Sequence, residues 1–265
     1  MEKISNLLMI MARLRDPEQG CPWDREQTFT SLLPHLLEEA YEVSDAVANG
    51  SDTQLCDELG DVLFQVVFFA RIAEEQGKFD FAAVVNGIAG KLTRRHPHVF
   101  GDSRIESAAE QALAWEEHKR VERQAHADTT DESSSVLDGV TLGLPALTRA
   151  VKLQRRAAQV GFDWPETELV LDKVIEELDE VRQELQEGAD PVRMQHEVGD
   201  VLLAVSNLAR KLSVDPETAV HRANRRFERR FRRVEALCRE QGLEPEACGL
   251  EVMEGFWQQA KDEGL

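Results

Sequence analysis

The sequence predicts an all-α fold made of two copies of one helical unit, and three observations carry that reading. Glycine and proline together number 16 + 9 = 25 of 265 residues, too few breakers for a loop-rich all-β chain. Apolar residues recur at spacings of three and four, and no alternating strand pattern interrupts them. The chain also repeats itself. EEAYE at Glu38 to Glu42 returns as EELDE at Glu176 to Glu180, an offset of 138, and DELGDVLFQVVFFAR from Asp57 returns as HEVGDVLLAVSNLAR from His196, an offset of 139. KLTRR at Lys91 aligns with RFERR at Arg226, and Trp115 with Lys119 echoes Trp257 with Lys261.

Taken in order, residues 1–122 form the first copy. Leu36, Leu37, Ala40, Tyr41, Val43 and Val47 mark an amphipathic helix that ends near Asn49-Gly50, where Ser51 is the N-cap of the next. The KLTRR helix stops before Pro97, and the neighbouring His96 and His98 read as capping or packing residues rather than a metal pair. Residues 123–140 (RQAHADTTDESSSVLD and its continuation) are rich in Ser, Thr and Asp and read as a flexible linker. Residues 141–265 form the second copy. Its Val170, Leu171, Val174, Leu178, Val181 and Leu185 mark the matching helix, which ends near Gly188, and Asp190-Pro191 restarts the chain. Farther on, Phe227, Phe231 and Val234 are expected to form a buried stripe on an arginine-rich helix.

Composition narrows the function classes. Lys plus Arg number 31 and Asp plus Glu 50, a formal net charge of −19, which disfavours nucleic acid and anionic membranes as general partners. Cys21, Cys56, Cys238 and Cys248 contain no CxxC pair, so neither a zinc cage nor a disulfide framework is indicated and a reducing, cytoplasmic setting is expected. The run VLFQVVFFARIA from Val62 is too short and too polar to span a membrane, and the N-terminus lacks the long apolar region of a signal peptide.

The acidic residues are patterned. On a helix, residues three apart share a face, so Glu39 with Glu42, and Glu177 with Glu180, each project two carboxylates the same way. The next helix does the same with Glu58 and Asp61, and with Glu197 and Asp200. Short connections make each pair of helices antiparallel neighbours, and four converging carboxylates repel unless a cation sits among them. A lone ExxE in so acidic a chain is ordinarily a solvated face; its recurrence with ExGD, 16 residues on in one copy and 17 in the other, favours a metal site. Gly60 and Gly199 also cost helix propensity, which a mere surface face has no reason to accept. An all-oxygen donor set suits Mg2+, with Mn2+ as a substitute. No histidine has a glutamate three residues before it, and no P-loop, GxGxxG, HExxH or His-Asp pair is present. Magnesium acting on a phosphate ester or anhydride remains.

Such chemistry needs local cations. HRANRRFERRFRR at His221 supplies them, with Arg226 and Arg230 flanking the apolar stripe; Lys91 and Arg95 take the matching places in the first copy. Lys173 lies one turn before Glu177 and Arg193 one turn before Glu197, whereas the first copy has His35 and Gln54 there. By charge, the second copy is the better phosphate site. Trp257 and Lys261, one turn apart, are a candidate base stack and phosphate contact. Glu176, adjacent to the ligand pair but turned about 100° on the helix, is a candidate for orienting a water. Two rival readings stay open: a helical scaffold whose acidic clusters bind cations or a basic partner, and an enzyme of the same class restricted to a narrower substrate such as dUTP or a damaged nucleotide.

Taken together, the tandem EExxE and ExGD pairs, CPWD at Cys21, KLTRRHPHVF, GFDW at Gly161, ANRRFERRF at Ala223 and FWQQAK at Phe256 resemble the two-repeat form of the MazG nucleoside triphosphate pyrophosphohydrolases, nearly end to end. The resemblance implies a tandem pair of helical bundles, a homodimer, and magnesium-dependent hydrolysis of nucleoside triphosphates to monophosphate and pyrophosphate with broad base specificity. Carried onto this chain, it implies that Glu177, Glu180, Glu197 and Asp200 bind the metal and that Arg226, Arg230, Trp257 and Lys261 contact the nucleotide; helix spacing adds Lys173 and Arg193 as substrate contacts and, with Glu177, Glu176 as a catalytic candidate. Glu39, Glu42, Glu58 and Asp61 match as a second, weaker metal site, with Lys91, Arg95, Trp115 and Lys119 as its substrate contacts. Arg226 stands where the family pattern usually has Lys, so that phosphate contact differs in shape.

Overall fold

The computed structural model describes residues 2–101, 104, 107, 110, 111, 114 and 135–265, and among them every regular element is a helix. The chain divides into two compact units, Met1–Glu122 and Arg123–Leu265. Trp115, Lys119 and most of the expected linker lie outside the described residues.

The first unit contains α1 (Glu2–Leu14), α2 (Pro22–Glu26), α3 (Phe29–Asn49), α4 (Asp52–Glu75), α5 (Phe81–Arg95) and α6 (Pro97–Phe100). Capping fixes where the long pair begins. Thr28 and Ser31 at the start of α3, and Ser51 and Gln54 at the start of α4, exchange reciprocal side-chain to backbone bonds that satisfy donors otherwise orphaned at a helix start. Only Gly50 and Ser51 separate α3 from α4, so the two run antiparallel and side by side. Met11, Leu32, Val67, Phe68 and Ile72 form the core, with Phe64 and Phe69 packed against it. Burial of Phe68, which is fully enclosed, contributes on the order of 2–3 kcal/mol. His96 is the C-cap of α5, and its Nδ1 lies 2.7 Å from the Leu92 carbonyl.

The second unit repeats the plan with α7 (Ala146–Gln159), α8 (Thr167–Glu187), α9 (Pro191–Lys211), α10 (Pro216–Glu240), a 3-10 turn at Pro245–Ala247 and α11 (Leu250–Asp262). The α8–α9 turn is built for tightness. Gly188 takes φ 117°, a left-handed conformation that favours glycine, and Ala189 follows at φ 54°. Asp190 then caps α9 by accepting from the Val192 and Arg193 amides, both at 3.0 Å. Glu184, only 6% exposed, closes the turn by accepting from the Asp190 amide at 3.0 Å.

One expectation is corrected here. Val234 is buried with Leu237, Cys238, Cys248 and Phe256, but Phe227 is 58% and Phe231 40% exposed. The reason is what covers each level: Phe256 of α11 and Cys248 close over Val234, whereas the part-exposed Trp257 ring covers Phe227 only on one side. The two exposed rings stack on each other at 6.0 Å instead, and Phe227 approaches Trp257 at 5.3 Å.

Candidate metal centre

The α8–α9 hairpin brings the carboxylates of the second unit together. Glu177, Glu197 and Asp200 each place one carboxylate oxygen within 4.8 Å of the others. Glu180 joins them electrostatically: the charge of Glu177, then burial and a hydrogen bond between the two side chains, raise its pKa above the ordinary range. Lys173 Nζ lies 2.8 Å from both Glu176 Oε1 and Glu177 Oε1, and these hydrogen bonds hold the ammonium well above the usual lysine range. One lysine against this many carboxylates leaves the cluster negative. The donors are all oxygen, Glu177 is 6% exposed, and the raised Glu180 pKa records a repulsion that a cation relieves, so the residues fit a hard divalent ion.

Beside the carboxylates lies a cavity of about 180 Å³, whose walls include Lys173, Glu177 and Asp200 together with Phe162, Trp164, Val170, Leu203, Ala204 and Asn207. Its volume is on the order of six waters, room for a flat ring system. The GFDW segment forms one wall because it is clamped to the end of α9. Arg210 reaches Asp163 at 2.5 and 3.2 Å, Lys211 reaches Asp163 at 2.8 Å and also binds the Trp164 carbonyl, and Arg210 Nε donates to Asn207 Oδ1 at 2.8 Å.

Burial alone would raise the Asp163 pKa, but the hydrogen bonds and charges of Arg210 and Lys211 outweigh it and hold the carboxyl below the ordinary range. A depressed carboxyl stabilises the fold above its unfolded pKa, near 4, and loses that contribution as pH falls through the folded value. Asp163→Asn is therefore expected to cost about 1–3 kcal/mol at pH 7, because it leaves two cations without their partner. Urea unfolding of both proteins from pH 7 to pH 2 should show the gap intact down to about pH 4 and closing below it.

The first unit has the acids without the cavity residues. Glu39, Glu42 and Glu58 place carboxylate oxygens within 4.8 Å of one another. Burial, then the charges of Asp61 and Glu42, raise the Glu39 pKa; burial, then the charges of Glu42 and Asp61, raise that of Glu58. At the offset of 139, Leu203, Ala204 and Asn207 correspond to Phe64, Gln65 and Phe68 (203 − 139 = 64, 204 − 139 = 65, 207 − 139 = 68). All three are larger. Gln65 is 4% exposed and hydrogen-bonds Glu39, while Trp23 meets Phe68 edge-on at 6.5 Å and the Arg15 guanidinium lies 5.4 Å from the Phe68 ring. His35, the counterpart of Lys173 (173 − 138 = 35), lies 3.7 Å from Glu38.

Other expected site residues fall elsewhere. Arg193 points back along the hairpin, 3.3 Å from Glu184 and 3.8 Å from Glu187. Glu176 is exposed and lines a shallow surface with Glu180, not the cavity. Arg226, Arg230, Trp257 and Lys261 gather on α10 and α11: Arg230 lies 5.7 Å over the Trp257 ring and donates to the Leu265 carbonyl at 2.7 Å, and Arg226 and Lys261 are exposed. None of these four lines the cavity. Lys91 and Arg95 are half-buried in the last turns of α5. Among the described residues no clash explains Gly60 or Gly199, since a Cβ at either meets nothing within 4 Å. The sequence reading missed Glu184, Asn207 and Arg210, which look like ordinary polar positions of a helix face, and it named Asp163 only within GFDW. No helix among the described residues is long and apolar enough to cross a membrane.

Comparison with known proteins agrees with this geometry. A model of the MazG nucleotide pyrophosphohydrolase domain matches twice, at residues 27–100 and 166–234, spans that contain both carboxylate clusters. The chain is 50% identical over 262 residues to the nucleoside triphosphate pyrophosphohydrolase of Escherichia coli, covering 98% of each chain. It is 43% identical over 255 residues to the nucleoside triphosphate pyrophosphohydrolase/pyrophosphatase MazG of Thermotoga maritima, covering 96% of this chain and 94% of that one.

Proposed function

This chain belongs to the MazG nucleotide pyrophosphohydrolase family, and we propose that it hydrolyses nucleoside triphosphates to nucleoside monophosphate and pyrophosphate, with Mg2+ held in the second unit and broad tolerance of the base. The observation that carries this is the adjacency, within the second unit, of a negative carboxylate cluster, an anchored lysine and a largely apolar cavity.

Glu177, Glu180, Glu197 and Asp200 would hold the ion. When bound, it supplies charge neutralisation for the triphosphate and a more acidic attacking water. The chain's own residues do the rest. Lys173, kept charged by Glu176 and Glu177, offers its ammonium to a phosphate oxygen at the cavity mouth. Glu176 anchors that lysine, which is the role its position supports. Trp164 and Phe162 stack on the base and exclude water from one face of the cavity. Arg226, Arg230, Trp257 and Lys261 supply a second cationic and aromatic surface, which we assign to the same substrate. Asp61 and its three partners in the first unit form the weaker metal site.

Apolar residues left exposed on the long helices, among them Leu33, Leu37 and Tyr41 on α3 and Leu171, Ile175 and Leu178 on α8, support assembly as a homodimer, since faces of this kind are covered in soluble proteins. The residues at 123–140 are proposed as the segment joining the two units. The setting is cytoplasmic, where thiols such as Cys21 and Cys56 stay reduced. The test is direct: purified protein with ATP and Mg2+ is expected to yield AMP and pyrophosphate in equal amounts and to stop when EDTA removes the metal. Release of ADP and orthophosphate, or undiminished turnover in EDTA, would overturn the reading.

A further inference from the structure

Gln154 on α7 lines the same cavity as Lys173, Glu177 and Asp200. Its Nε2 donates to the Leu203 carbonyl at 2.9 Å, which settles the orientation of the amide, because the reverse would set two oxygens against each other. The other end, Oε1, is buried with no hydrogen-bond partner among the described residues. A buried acceptor left open is costly, and at a binding cavity it marks where a donor arrives with the ligand. The neighbouring amide does not compete, since Asn207 Oδ1 already accepts from Arg210 Nε at 2.8 Å.

Resting on the reading of this cavity as the base end of a nucleoside triphosphate site, we propose that Gln154 Oε1 accepts an N–H from the edge of the bound nucleobase. Each ordinary base carries such a donor: the exocyclic amine of adenine or cytosine, the ring N–H and amine of guanine, the ring N–H of uracil or thymine. A single fixed acceptor is therefore met by all of them, and it excludes only rings that have lost the donor. Breadth and selectivity then come from one side chain.

The probe is purine riboside triphosphate, which differs from ATP by hydrogen in place of the 6-amino group. Wild-type protein is expected to show a kcat/KM for ATP about tenfold or more above that for the analogue. Gln154→Met, close in volume, should bring the two within about twofold, chiefly by lowering the ATP value, and Gln154→Leu is the second variant should the first fold poorly. Equal use of both nucleotides by the wild type overturns the assignment, and so does a preference that survives both substitutions. If the wild type forms no AMP from ATP at all, it is the activity reading that fails, and the two failures are told apart in one assay.

Discussion

Glu177→Gln is expected to lower kcat/KM for ATP hydrolysis by about a hundredfold or more, while Glu39→Gln leaves it within about twofold. Loss of a residue that merely orients a metal ligand costs 10–100-fold in affinity or activity, so loss of a ligand belongs at or above the top of that range. The proposed place of Glu177 in the ligand set is not its only one. It is the buried member of the cluster, one of two anchors of Lys173, and part of the cavity wall. The amide keeps the shape and removes the charge, so the effect reports electrostatics rather than packing. Glu39 has an equivalent place in its own cluster, but the matching lysine is His35 and the matching cavity positions are filled. Pyrophosphate release with saturating Mg2+ checks both variants. A loss confined to Glu39→Gln would move the working centre to the first unit.

The double change Ala204→Gln with Asn207→Phe is the second large effect. It writes the side chains of Gln65 and Phe68 into the second unit and is expected to fill the cavity from within. Base stacking contributes about 1–3 kcal/mol, and with the apolar enclosure of the ring lost as well, kcat/KM for ATP should fall about a hundredfold. The carboxylates remain, so Mn2+ binding, read by paramagnetic relaxation of water protons, should be unchanged. Retention of ATP turnover would mean that the base binds outside this cavity. Loss of Mn2+ binding as well would mean that the substitutions had disrupted the hairpin.

Much of this arrangement was legible in the chain. The helix limits at Asn49-Gly50 and Gly188 follow from capping chemistry that acts over three or four residues, and so does the convergence of Glu177 with Glu197 and Asp200, because a short turn leaves two helices one way to pack. What was not legible depends on tertiary neighbours. Arg193 shares a helix face with Glu197 by spacing, yet Glu184 on the preceding helix takes it. Phe227 has the period of a core residue, but burial requires full coverage by neighbouring elements, and the Trp257 ring of α11 covers it only in part. The difference between the two copies was visible as Lys173 against His35. The larger difference, Ala204 and Asn207 against Gln65 and Phe68, reads as routine variation along a helix until the cavity shows that volume is what those positions control.

The tight turn at Gly188 and Ala189 bears on how the protein comes to exist. Glu177 and Asp200 lie 200 − 177 = 23 residues apart across that reversal, so the centre belongs to a short local stretch whose closure costs little entropy and can precede docking of the remaining helices. The mutual repulsion of its acids is then felt at an early folding step, before any surrounding structure exists to enforce their proximity. On the proposed metal reading, a divalent cation present during synthesis would ease that step.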